Sequence, residues 1–170
     1  MSGFHTKTFS KHDDYMTPKY AWENIKQFIP EDYKIIYEPF YGDGSSGKFL
    51  QELLPDKTII HQDLDFYEYS TQFNYDMILS NPPFSDAKKI MPKMFELDKP
   101  FILLMPSSKI NTNYFRQWKE RKIQIIIPTK RIHFKKFVNG KEVPTNGANF
   151  DCFYYCYKIN LSSDITWLES

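Results

Sequence analysis

Six short runs, KIIYEPF (34–40), TIIHQDLDF (58–66), YDMILS (75–80), PFILLMPSS (100–108), KIQIIIP (122–128) and CFYYCYKI (152–159), are nearly continuous in apolar or aromatic residues. Runs of this length and content read as strands covered on both faces. Helix-like segments separate most of them. Residues 18–29 place Tyr20, Trp22, Ile25, Phe28 and Ile29 at near-helical spacing, with Thr17 as N-cap and Pro18 at the first helical position. A short helix over 46–54 is capped by Ser45 or Ser46, a third covers 86–97 with Pro92 as a kink or break, and a fourth covers 113–121. Strands alternating with helices predict an α/β fold with a mostly parallel sheet and helices on both faces.

A chain of 170 residues is long enough for one substantial core. A single domain is expected over 15–165, preceded by a loose polar segment, 1–14. The net charge of +1 gives no global field, so any nucleic-acid partner must be held by a local basic patch. No apolar stretch approaches a membrane span and the start lacks the pattern of a signal peptide, so an intracellular, cytoplasmic location is expected, or the host cytoplasm or nucleus for a viral protein. Richness in Lys, Ile, Tyr, Phe and Asn hints at an AT-rich genome such as a virus or mobile element. Cys152 and Cys156, four apart on one strand, read as buried free thiols, and the four scattered histidines offer no zinc pattern, so no metal is expected.

In open parallel sheets ligands bind at the carboxyl ends of the strands, and three unusual clusters follow strands here. EPFYGDGSSG places glycines at 42, 44 and 47 between a strand and a helix, where backbone can approach a nucleotide-like ligand. These glycines fit the dinucleotide-binding spacing, but Glu38 just ahead would repel a pyrophosphate. Asp63 and Asp65 follow the second strand, where carboxylates commonly accept from ribose hydroxyls. The third cluster, Asn81-Pro82-Pro83-Phe84, sets an amide oxygen and the Pro82 carbonyl beside a flat aromatic face. That combination suits a planar substrate bearing an NH₂ group, whose nitrogen it would help leave planarity as it attacks an electrophile.

EPFYGDG followed by YDMILSNPPF resembles the S-adenosylmethionine-dependent amino-methyltransferases, above all the adenine-N6 group, in a compact form without a large target-recognition domain. The resemblance is carried by residues 14–84 and implies a Rossmann-like methyltransferase fold, compressed between the second strand and the NPPF strand, where only residues 67–74 intervene. It implies S-adenosylmethionine as cofactor, held by Tyr15, Thr17 and Pro18 from DDYMTP, by Glu38, Pro39, Phe40, Gly42 and Gly44, by Asp63 at the ribose, and by Asp65 and Phe66 beside the adenine. It implies catalysis by Asn81, Pro82, Pro83 and Phe84, on adenine N6 in DNA ahead of RNA. Glutamine-amide methylation, or an inactive cofactor-binding subunit, are the other readings.

Substrate contacts are expected from the basic and aromatic segment 129–149, through Lys130, Arg131, Phe134, Lys135 and Lys136, with Phe150 just beyond it. Phe134 or Phe150 would stack on an extruded base. A partner protein could supply target recognition.

Overall fold

The computed structural model describes residues 15–138, 141–143 and 151–169; the segment 1–14 and Phe150, both named above, lie outside them. In chain order the first elements are β1 (Tyr15–Met16), α1 (Lys19–Glu23), β2 (Ile35–Tyr37), α2 (Ser45–Leu53), β3 (Thr58–Ile60), α3 (Phe66–Tyr69), β4 (Met77–Ser80) and α4 (Ala87–Leu97). There follow β5 (Phe101–Pro106), α5 (Asn113–Arg116), β6 (Gln124–Ile127), β7 (Lys135–Val138), β8 (Lys141–Val143), β9 (Cys152–Tyr157) and β10 (Ile165–Trp167). Seven strands make one sheet in the order β10-β6-β9-β5-β4-β2-β3. Only β9 runs antiparallel to its neighbours, β5 and β6. The architecture is α/β and consistent with a Rossmann-like sheet.

The period-two alternation of side chains along each strand divides the core into two layers. Ile36, Met77, Leu79, Ile102, Leu104 and Tyr154 face one side, where Trp22 and Ile25 and the α2 residues Leu50 and Leu53 cover them. Tyr37, Ile78, Phe101, Leu103, Tyr155 and Tyr157 face the other, beneath Ile90, Met91, Met94 and Phe95 of α4. Two tyrosine hydroxyls of the core are satisfied by backbone: Tyr154 donates to the Ala21 carbonyl at 2.7 Å and Tyr155 to that of Pro106 at 2.7 Å. Cys152 and Cys156 are buried free thiols. Among the described residues no helix is long and apolar enough to cross a membrane.

Several elements differ from the sequence reading. The helix expected over 18–29 is α1 followed by a separate 3-10 turn, Lys26–Phe28; Pro18 takes the N-cap position, because the Thr17 hydroxyl is engaged elsewhere. The N-cap of α2 is Gly44, not a serine: Asp43 Oδ1 accepts from the Ser45 N–H at 2.9 Å and draws Ser45 into the first turn. The second strand stops at Ile60, since Asp65 caps α3 by accepting from the Tyr67 N–H. Pro92 lies inside α4, and the carbonyl its missing N–H would have served belongs to exposed Lys88, where water can serve instead.

The helix expected over 113–121 divides into α5 and a 3-10 turn ending at Lys122, whose φ of 56° stops it. The stretch 129–149, read as a connection, contains β7 and β8, and β7 pairs with β1 in a small antiparallel sheet. β10 escaped the reading because Ile165 and Trp167 are exposed, so no buried apolar run announces it.

Candidate active site

From β2 the chain moves outward to β3, then returns past β2 to lay down β4 and β5 on its other side. Such a reversal opens a crevice beyond the carboxyl ends of the two central strands, the usual place for a ligand in an open α/β sheet. Glu38 leaves β2 and Asn81 leaves β4 at that point, on neighbouring parallel strands.

The Glu38 side chain turns into the protein and is 1% exposed. Its Oε1 accepts from the Ser80 hydroxyl at 2.7 Å and from the Phe40 N–H at 2.9 Å; its Oε2 accepts from the Asn81 N–H at 3.2 Å. One carboxyl therefore ties the glycine loop to the start of NPPF. Burial pushes it up to about 8, against the pull of the Ser80, Phe40 and Asn81 donors. Ser80 was missed by the sequence reading, although a hydroxyl closing the apolar run MIL was the signal that could have found it.

The Asn81 amide is oriented by its surroundings. Nδ2 donates to Thr17 Oγ1 at 2.8 Å and, more weakly, to the Tyr15 carbonyl at 3.4 Å. A carbonyl only accepts, so the amide nitrogen and not the oxygen must face Tyr15. Asn81 Oδ1 is left shielded from solvent and accepts no hydrogen bond among the described residues. A buried acceptor in that state costs about 1–3 kcal/mol, which a protein has reason to tolerate where a ligand supplies the donor.

Three aromatic rings, from Tyr15, Phe84 and Phe134, pack against one another. Phe84 lies nearly parallel to Tyr15, with centroids 6.3 Å apart, and Phe134 meets both edge-on at 6.0 and 6.5 Å. The β1–β7 pairing places Tyr15 opposite Lys136, and the Lys136 ammonium sits 5.6 Å from the Tyr15 ring centre. Ile132 and Phe134 point into the core while His133 and Lys135 face outward, so the basic segment is anchored against the candidate site by alternate residues. Lys130 and Lys135 are exposed. Arg131 makes a bidentate pair with Asp151, 2.8 Å for each bond, so its guanidinium has a protein partner.

The other residues implied by the resemblance separate into open and enclosed ones. Gly42 and Gly44 take φ of 60° and 84°, left-handed values that glycine adopts without a side-chain clash and that turn the loop. Pro18, Pro83, Asp63 and Asp65 are half-buried, whereas Pro39 and Pro82 are buried. Asp65 acts as the α3 cap, and Phe66, fully buried against Phe40 with centroids 5.1 Å apart, has no open face for a ligand ring. Alanine at Gly44 would have to hold φ of 84° with its Cβ 2.7 Å from the Tyr41 hydroxyl oxygen. Gly44→Ala is therefore expected to destabilise by about 1–2 kcal/mol, read as a lower denaturant midpoint at unchanged m.

No protein-family model matches the chain, and no curated protein matches it either.

Proposed function

We propose that this protein is an amino-methyltransferase that uses S-adenosylmethionine. Its substrate in this reading is the N6 amino group of adenine in DNA. The single observation behind it is the Asn81 side chain, fixed through its nitrogen by Thr17 and Tyr15, with a buried oxygen that has no donor among the described residues, beside stacked Phe84 and Tyr15. An exocyclic NH₂ on a flat ring supplies that donor and that shape together. The crevice at the strand reversal and the NPPF motif support the same reading.

Bound at the crevice, S-adenosylmethionine would supply an electrophilic methyl group on a sulfonium. The backbone of Gly42 to Gly44 and the Asp63 carboxylate are the groups suited to hold it; Glu38 instead fixes the loop, and Phe66 is enclosed. Asn81 Oδ1 and the Pro82 carbonyl would accept the two amino hydrogens. Drawing those hydrogens out of the ring plane leaves the nitrogen lone pair free for the methyl carbon, a stabilisation exerted mostly at the transition state. In this reading the amino nitrogen would take the methyl group from the sulfonium, leaving a thioether, and would give up one proton to solvent. Phe84 would keep the ring in line, with Phe134 packed behind it in the core. A base paired in duplex DNA must first be extruded, at about a few kcal/mol.

Incubation with tritium-methyl S-adenosylmethionine and, separately, DNA, RNA or a glutamine-bearing protein is expected to label DNA, with the counts in N6-methyladenine after digestion. Label in RNA or in the protein alone would replace the substrate, and label in none would overturn the reading. In this reading Lys135 and Lys136 would meet phosphates, so reversing both to glutamate should weaken DNA binding across sequences. The log–log salt slope should fall by about 0.9 per lost phosphate contact.

A further inference from the structure

His61 touches the glycine loop at three points, although no motif includes it. We propose that His61 is the positioning residue of this loop, holding residues 38–44 in the shape that receives the methyl donor; the donor's identity rests on the methyltransferase reading. His61 follows β3, and its ring lies between the Glu38 and Tyr41 carbonyls. Nδ1 is 2.9 Å from the Glu38 carbonyl and Nε2 is 3.1 Å from that of Tyr41. The ring stacks on Tyr41 with centroids 4.8 Å apart and planes 23° apart. It also fills the space over Gly47, where a Cβ would lie 2.5 Å from His61 Cδ2. One imidazole thus fixes the loop at its start, at its turn and at the first helical turn beyond it.

Both carbonyls only accept, so the ring must donate to hold them. A neutral ring donates from one nitrogen and an imidazolium from both. Burial lowers the His61 pKa, while the two backbone carbonyls and the facing Asp43 and Asp63 carboxylates pull the other way. At neutral pH at least one of the two contacts is a donated hydrogen bond, and the stacking and the Gly47 contact persist in either state. A histidine of merely structural use would change global stability. A positioning residue changes the loop and its ligand, and a side chain that restores a donor restores both.

The test compares wild type with His61→Phe, which keeps a ring against Tyr41 and Gly47 without nitrogens, and with His61→Asn and His61→Gln. Asparagine places an amide nitrogen near Nδ1, and glutamine places one near Nε2. Amide hydrogen exchange over 40–47 in the ligand-free protein and calorimetric titration with S-adenosylmethionine are read on all four. For His61→Phe, loop exchange about tenfold faster than in wild type, at unchanged exchange in β4 and β5, and about tenfold weaker binding are expected. At least one amide variant should recover most of both. Unchanged loop exchange in His61→Phe, or a loosened loop with unchanged affinity, would overturn the proposal. Should His61→Phe fail to fold, the amide variants decide: at least one of them matching wild type in exchange and affinity supports a donor at this position, and loss of both properties in both variants overturns it. Failure of wild type to bind S-adenosylmethionine would sink the methyltransferase reading instead, and the exchange data would still decide whether His61 shapes the loop.

Discussion

Asn81→Ala is expected to lower methyl transfer to DNA by about 10²–10³-fold while leaving S-adenosylmethionine affinity within about threefold of wild type. The size follows from the removal of one preorganised acceptor whose contact strengthens as the amino nitrogen leaves planarity. Single-turnover rates and calorimetry separate the two quantities. The same variant carries a second expectation that does not depend on activity. Alanine deletes a buried oxygen that has no partner among the described residues and also the bond to Thr17 at 2.8 Å, two effects of opposite sign. Net stability should therefore change by no more than about 1 kcal/mol, in contrast with most buried polar deletions. A loss of about 3 kcal/mol would show that the amide oxygen already has a strong partner within the protein. Phe84→Ala should likewise lower turnover more than cofactor affinity; lost affinity at unchanged turnover would refute its placement on the target ring.

Glu38→Ala should be the most destabilising single change at the crevice, by about 3–5 kcal/mol, since it leaves the Ser80 hydroxyl and the Phe40 and Asn81 N–H groups without their acceptor. Glu38→Gln should cost less, because one oxygen survives for Ser80 and Phe40 while the new NH₂ meets the Asn81 N–H. The glutamine variant also isolates a pH effect. The Glu38 carboxyl is raised from 4.5 to about 8 in the fold, so its contribution is fully present below about 4.5 and is lost as pH rises through about 8. Wild-type stability, measured by urea titration relative to Glu38→Gln, should decline over that window, by several kcal/mol at the order-of-magnitude level. A wild-type-minus-variant difference that stays flat from pH 5 to 8, within about 0.5 kcal/mol, would contradict the burial of an ionisable group there.

How far the sequence could be read depended on how local the determining physics was. Continuous apolar runs announced β2, β4, β5, β6 and β9, because residues covered on both faces leave no polar alternation to confuse. Helix ends were misplaced where a side chain served a distant partner instead of its own backbone. Thr17 is the plainest instance: its hydroxyl accepts from Asn81, 64 residues away, and no local rule announces that. β1 and β7 are each short and half-polar, and only their mutual pairing makes them strands. In the site, glycines at positive φ and the NPPF turn were legible because each acts through its own backbone. Glu38 was legible as an unusual residue, but its direction was not, since the donors of Ser80 and Asn81 come from the adjacent strand. His61 gave no signal, being one histidine among four until the fold set its ring between two carbonyls.

Whether the Asn81 amide oxygen holds an amine can be seen directly. A crystal structure of the protein with S-adenosylhomocysteine and a short adenine-containing oligonucleotide tests it most directly. The expected result places an adenine amino nitrogen within about 3 Å of Asn81 Oδ1, with its ring against Phe84. An adenine bound away from β4 while Asn81 Oδ1 takes a donor from the protein itself would contradict the account.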